Sequence, residues 1–105
     1  DGYIGDLIPI WIESGVTSCS PIEVAAGCDI NEFRKRFGHK MSCIGGVDKR
    51  EMAKGGANIA REIKRLAPII KDGGYIPGCD HGVPSDVSWP HFIEYSELLA
   101  RECGW

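Results

Sequence analysis

No apolar run in this sequence approaches the roughly 20 residues needed to cross a bilayer. Its first residues also lack the basic-then-apolar pattern of a secretory signal. Membrane insertion and export are therefore not expected, and a cytoplasmic protein is. Basic residues are in short supply: 12 Lys and Arg face 15 Asp and Glu, for a net charge of -3, and the charges are scattered rather than gathered into a stripe. Neither nucleic acid nor an anionic membrane is expected as a partner. The five cysteines, Cys19, Cys28, Cys43, Cys79 and Cys103, include no C-x-x-C pair and are odd in number. That argues against a disulfide framework and for reduced thiols, most of them small buried hydrophobes. No repeat of fixed period, low-complexity tract or interdomain linker interrupts the chain. No initiator Met precedes Asp1-Gly2-Tyr3, so a cleaved or missing upstream part is expected.

What is present is an ordinary globular composition, 105 residues of which 43% are hydrophobic. One domain at most fits this length. A chain of this size buries roughly 60 to 70% of its unfolded surface, so it stands alone only if its sheet faces and edges are covered. Asp6 to Ser14 reads as a short, largely buried helix stopped by Gly15, with Pro9 in its first turn. Val16 to Pro21 reads as a buried strand running into a turn at Ser20-Pro21-Ile22-Glu23. Ile30, Phe33 and Phe37 fall at helical spacing, with Gly38 as C-cap. Lys40 to Val47 reads as a second buried strand, and Asp48-Lys49-Arg50 as a charged loop opening a long helix. In that helix Ile59, Ile63, Leu66, Ala67 and Ile70 form the apolar stripe. Arg61, Glu62, Lys64, Arg65 and Lys71 form the polar face, until Gly73-Gly74 ends it. Tyr75 to Cys79 is a third strand, and Trp89 to Glu102 a last helix with Ser88 as N-cap and Phe92, Tyr95, Leu98 and Leu99 facing inward. The order α, βα, βα, βα, with short and uniformly apolar strands, predicts an α/β fold with a parallel sheet and crossover helices. Periodicity alone leaves open whether the sheet is doubly wound or part of a (β/α)8 barrel.

In either architecture functional groups lie beyond the C-terminal ends of the strands. Three segments fall there: Ser20 to Glu23, Gly45 to Arg50 and Gly78 to Gly82. Each sets ionisable groups beside small residues, and Gly45, Gly46 and Gly82 would let backbone approach a ligand closely. His81, held in one tautomer by Asp80, could transfer a proton or bind a carboxylate; it could equally be a surface loop histidine. Asp48 could face the cavity or simply cap the following helix. Lys49 and Arg50 could hold an anionic substrate or remain solvated in a first helical turn, and Glu23 could point inward or serve the next helix N-terminus. Cys79 and His81, two residues apart in an extended segment, could touch one metal ion, but zinc needs three or four ligands, and a buried strand thiol is the alternative. His39 and His91 are assigned no role.

Three segments carry a resemblance: Pro21-Ile22-Glu23-Val24-Ala25-Ala26-Gly27-Cys28-Asp29, Cys43-Ile44-Gly45-Gly46-Val47-Asp48-Lys49-Arg50, and Gly73-Gly74-Tyr75-Ile76-Pro77-Gly78-Cys79-Asp80-His81-Gly82-Val83-Pro84-Ser85-Asp86-Val87-Ser88-Trp89. In order and spacing they resemble successive signatures of the uroporphyrinogen decarboxylase superfamily. That family comprises (β/α)8 barrels and includes the cofactor-free decarboxylase of haem biosynthesis and zinc-dependent methyltransferases that move methyl groups between corrinoid proteins and thiols. The resemblance implies that residues 1–105 are a single partial domain, strands six to eight with their helices, preceded by helix five and ending at the natural C-terminus. It places His81-Gly82 on the family's strand-eight histidine-glycine, which implies a substrate contact and a catalytic role for His81. Gly45-Gly46-Val47-Asp48 stands where many members have Gly-Asn-Val-Asp, so an asparagine is replaced. Asp1-Gly2 stands where the methyltransferases carry a zinc-binding Cys-Gly, and their strand-eight zinc cysteine would fall nearer His81 than Cys79.

A complete barrel needs about 250 residues. The resemblance therefore implies that strands one to five, and the decarboxylase groups they carry, lie outside this chain, leaving two unprotected sheet edges. The expected function is that of a C-terminal fragment of a lyase acting on a tetrapyrrole, inactive alone and needing no cofactor. It should form a homo-oligomer or associate with the missing barrel half. The alternatives are part of a corrinoid-dependent methyltransferase, with zinc or a corrinoid and a methyl-donor substrate; a non-catalytic half-barrel holding a corrinoid, a tetrapyrrole or a partner subunit; and a small metal protein using Cys79, His81 and a thiol such as Cys43.

Overall fold

In the computed structural model, which describes residues 1–105, helices and strands alternate as the apolar periodicities require. Helix α1 spans Ile8–Glu13, β1 Ser18–Ile22, α2 Ile30–Phe37, β2 Ser42–Val47, α3 Lys49–Lys54, α4 Ala57–Asp72, β3 Tyr75–Cys79 and α5 Trp89–Glu102. One turn of 3-10 helix, Val24–Ala26, joins β1 to α2. The three strands form one parallel sheet in the order β1-β2-β3. Parallel neighbours taken in sequence order, with crossovers of one hand, put every crossover helix on the same face. Here α2 packs on α4, α4 on α5, and α4 on both β2 and β3.

The core lies between sheet and helices. Ile59, Ile63 and Leu66 from α4 meet Ile22, Cys43, Val47 and Tyr75 from the strands, with Ile30 and Phe33 of α2 at one end and Tyr95 of α5 at the other. The opposite face of the sheet is open: Ile44 and Ile76 are register partners, and both are exposed. The extents of 42 × 27 × 16 Å agree, since the shortest dimension accommodates one sheet and one layer of helices. This is an α/β sheet of three parallel strands.

Local capping explains where the elements start. The Asp29 carboxylate accepts from the Asn31 N–H at 3.0 Å and starts α2, and Ser88 Oγ accepts from the His91 N–H at 3.3 Å and starts α5. Asp48 caps the short α3 rather than a long helix. Gly55 and Gly56, both at positive φ, break the run before α4 begins, because two such residues cannot continue a right-handed helix. Burial departs from expectation at β1. Only Ile22 of that strand is fully buried, since β1 lies at the sheet edge with one face open. The strand also runs through the expected turn as far as Ile22, with a register irregularity after Cys19. Helix α1 buries Ile8 alone and leaves Ile10 exposed; it packs one face on the core and its other side has no neighbour. Pro21 and Pro77 fall in the two outer strands and none falls in β2. A missing N–H is tolerated in an outer strand, where it interrupts no central ladder.

Candidate functional site

The C-terminal ends of the three strands are tied together by one carboxylate. Asp80, immediately after β3, is fully buried. Its Oδ1 accepts from the Lys49 N–H at 3.0 Å and its Oδ2 from the Ala25 N–H at 3.2 Å. Lys49, the first residue of α3, brings Nζ to 3.1 Å from Glu23 Oε2 and 3.5 Å from Asp80 Oδ2. Glu23 follows β1, and its Oε1 also accepts from the Gly2 N–H at 3.0 Å. One residue from each strand end thus joins a cluster of two carboxylates and one ammonium.

The electrostatics follow from these contacts. Glu23 is held below the usual carboxylate range by the Gly2 N–H first and by the Lys49 ammonium second. Burial opposes the charge on Lys49, but the Glu23 hydrogen bond and the charges of Asp80 and Glu23 outweigh it, and its pKa rises. Both members of the pair are therefore ionised across the neutral range.

Asp48 and Arg50 form a separate unit. Asp48 Oδ1 accepts from the Arg50 N–H at 2.9 Å and from Nε at 3.0 Å, and Oδ2 accepts from Nη2 at 3.0 Å. Burial would raise the Asp48 pKa, yet the Arg50 side chain and N–H lower it overall. The capping role is therefore realised, with the Arg50 guanidinium folded back on its own helix start. Behind it lies a network that the sequence pattern does not reveal. The Glu62 carboxylate accepts from the Asp48 N–H at 3.3 Å and is gripped by Arg65. Arg65 also reaches Asp29 Oδ1 at 3.0 Å and the Gly46 carbonyl at 3.2 Å. Glu62, on the face read as polar, is buried. The Glu62–Arg65 spacing of i, i+3 could have signalled an ion pair, but nothing in it shows that the pair turns inward.

Gly45 and Gly46 serve the sheet itself. Both have positive φ; a Cβ on Gly45 would lie 2.9 Å from the Ile22 nitrogen, and one on Gly46 would lie 2.6 Å from the Tyr75 hydroxyl. That hydroxyl donates to the Gly45 carbonyl at 2.6 Å. Space at these positions is thus filled by neighbouring strands. Gly82 has open space around it and an unstrained φ.

His81 is half-exposed, and its Nε2 lies 3.2 Å from Asp1 Oδ2. Asp80 does not orient it. In the bend that follows β3, Asp80 turns into the molecule and His81 out of it. The expected constellation is therefore divided. Glu23, Lys49 and Asp80 come together, Asp48 and Arg50 pair with each other, and His81 stands apart. A cavity of about 430 Å³ opens beside Asp48, Glu51, Arg61 and Arg65, and none of Glu23, Lys49, Asp80 or His81 lines it.

The residues present do not fit a zinc site. No group of three or more His, Cys, Asp or Glu side chains is placed to hold a metal ion. Burial raises the Cys79 pKa, favouring thiol over the thiolate that zinc requires, and Cys79 faces an apolar groove with Tyr95 and Leu99 while His81 faces Asp1.

The chain is 27% identical over 93 residues to the uroporphyrinogen decarboxylase of Cronobacter sakazakii, an alignment covering 87% of this chain and 26% of that protein. The chain thus spans about a quarter of the length of this curated relative. No family model matches, and no solved structure matches. The similarity supports a distant relation to uroporphyrinogen decarboxylase.

Proposed function

We propose that this chain is the C-terminal portion of a decarboxylase-like (β/α)8 barrel, and that its strand ends form part of the binding site for a tetrapyrrole with several carboxylates. The observation that carries this reading is the cluster of Glu23, Lys49 and Asp80, in which three successive parallel strands each contribute one residue at the end where such folds bind ligands. The distant relation to uroporphyrinogen decarboxylase supplies the substrate class. The remaining strands of the barrel would cover the open sheet face that exposes Ile44 and Ile76.

In this reading His81 is the group that meets substrate. Its ring is half-exposed and makes one contact, to Asp1, so it is free to donate to a substrate carboxylate. The Lys49 ammonium already faces two carboxylates; it holds the three strand ends in place rather than offering an unbalanced charge. Decarboxylation of a pyrrole side chain requires fixed dipoles or carboxylates around the ring as charge develops. The chain alone presents too few such groups, so it binds without turnover.

The test is to mix the 105-residue chain with uroporphyrin and follow quenching of tryptophan fluorescence, then to assay release of carbon dioxide from uroporphyrinogen. Saturable binding that weakens at least about tenfold in His81→Ala, roughly the worth of one charge-assisted hydrogen bond, with no release of carbon dioxide, is expected. Saturable binding of a corrinoid in place of the porphyrin would overturn the substrate class. Turnover at the rate of a complete decarboxylase would overturn the reading that the catalytic set is partial.

A further inference from the structure

We propose that Cys19 and Cys43 form a reversible disulfide, a redox-sensitive crosslink between the outer strand β1 and the central strand β2. The two residues are register partners in the parallel pair β1–β2. Neighbouring strands lie about 4.8 Å apart, inside the Cα separation of about 4.4–6.8 Å that disulfides span. Register partners also project from the same face of a sheet. The Cys43 S–H points to the Met41 carbonyl, just before its own strand, at 3.9 Å, and the two thiols lie close enough to shift one another, Cys43 lowering the Cys19 pKa and Cys19, as first cause, raising that of Cys43. No other cysteine has such a neighbour across the sheet. Cys79 is in register with Val47, Cys28 gives its proton to the Gly2 carbonyl, and Cys103 caps the end of α5.

Access differs between the two thiols in the sense that such chemistry needs. Cys19 lines a surface cavity of about 350 Å³ with Trp11, Val16, Ser18 and Ser20, whereas Cys43 is buried in the core. Cys19 is therefore the thiol that meets an oxidant, and Cys43 the one that resolves the product. With a small-molecule disulfide as oxidant, the Cys19 thiolate attacks one sulfur and releases the other half as a thiolate, leaving a mixed disulfide. Cys43 then loses its proton and attacks the Cys19 sulfur, forming the Cys19–Cys43 bond and releasing the second small thiolate. The protein loses two electrons and two protons, and the small disulfide is reduced to two thiols. The bond would secure β1, the strand with an irregular register and an open edge. Glu23 lies four residues beyond Cys19 on that strand's path to the ion cluster, so oxidation would fix its approach to Lys49.

The reduced protein is incubated with oxidised glutathione, alkylated, and digested without reductant for mass spectrometry. The expected product is one peptide pair joining Cys19 to Cys43, lighter by two hydrogen atoms than the two thiol peptides, with no glutathione retained. Its thermal unfolding midpoint should exceed that of the reduced protein, and dithiothreitol should return it. In Cys43→Ser the same treatment should leave glutathione on Cys19, and in Cys19→Ser, where the substituted position is half-exposed, Cys43 should remain a free thiol. Glutathione retained on Cys19 of the unsubstituted protein with Cys43 still alkylated, no reaction at either thiol, or a bond from Cys19 to a different cysteine would each overturn the proposal.

Discussion

Asp80 stands in the sequence as one polar residue in a segment rich in turn formers, and its neighbours give no sign that it faces inward. In the structure its two oxygens serve Lys49 and Ala25, residues from the helical turns that follow the other two strands. Replacing it with Ala leaves those N–H groups without acceptors and strips Lys49 of one counter-charge. The expected cost is about 3–5 kcal/mol, the range for breaking a buried ion pair from one side, read as a lowered urea midpoint with unchanged slope. Asp80→Asn keeps an acceptor and should lose less; equal losses would show that the charge, not the hydrogen bonds, holds the loops. Glu23, Lys49 and Asp80 were each legible as strand-end residues, because ionisable groups beside glycines or small residues stand out there. Their partners were not, since which carboxylate meets which ammonium depends on how three loops from distant parts of the chain turn. Glu23, Lys49 and Asp80 are brought together by tertiary structure alone, and His81 is parted from Asp80 by the bend that follows β3.

At the scale of elements, β3 and α5 follow the sequence reading closely, Tyr75–Cys79 and Trp89–Glu102, because glycines, prolines and a serine cap mark their ends. The helix after β2 was harder to read. Its apolar stripe continues in phase from Met52 to Ile59, but Gly55-Gly56 separates α3 from α4, and a pattern of side chains does not register a change of backbone hand. A similar backbone requirement sits in β2 at Gly46. Its φ of 81° and the Tyr75 hydroxyl 2.6 Å from its would-be Cβ make Gly46→Ala costly twice over. The left-handed conformation alone accounts for roughly 1–2 kcal/mol. Tyr75→Phe removes the obstructing oxygen together with its bond to the Gly45 carbonyl. Gly46→Ala should therefore destabilise the Tyr75→Phe protein less than the unsubstituted one. Equal effects in a double-mutant cycle would mean that the conformational cost is the whole penalty.

Over the whole molecule, ionisation sets a stability window that is wider on the acid side of neutrality than on the alkaline side. Glu23 and Asp48 are held below their ordinary values, so what they contribute is fully present above about pH 4, their unfolded range, and is lost as pH falls through their folded values. Lys49 is raised; its contribution is complete below about pH 10 and is lost as pH rises through its folded value. Buried acids act earlier on the alkaline side. Cys43 is raised by the neighbouring Cys19 thiol and by burial, and Cys79 by burial. Tyr75 is raised by burial, and burial pushes Tyr95 up to about 12. Each stays protonated in the folded chain while the unfolded chain begins to ionise, from about pH 8.5 for thiols and about pH 10 for tyrosines. Stability should therefore fall as pH rises past those unfolded values, although the lowered Cys19 offsets part of the thiol effect. Urea midpoints measured under reducing conditions should hold level between about pH 5 and pH 8 and decline on both sides. The decline above about pH 10 should be shallower in Tyr75→Phe. An alkaline limb that the substitution leaves unchanged would assign the loss to the other groups, Lys49, Tyr95 and the buried thiols, instead.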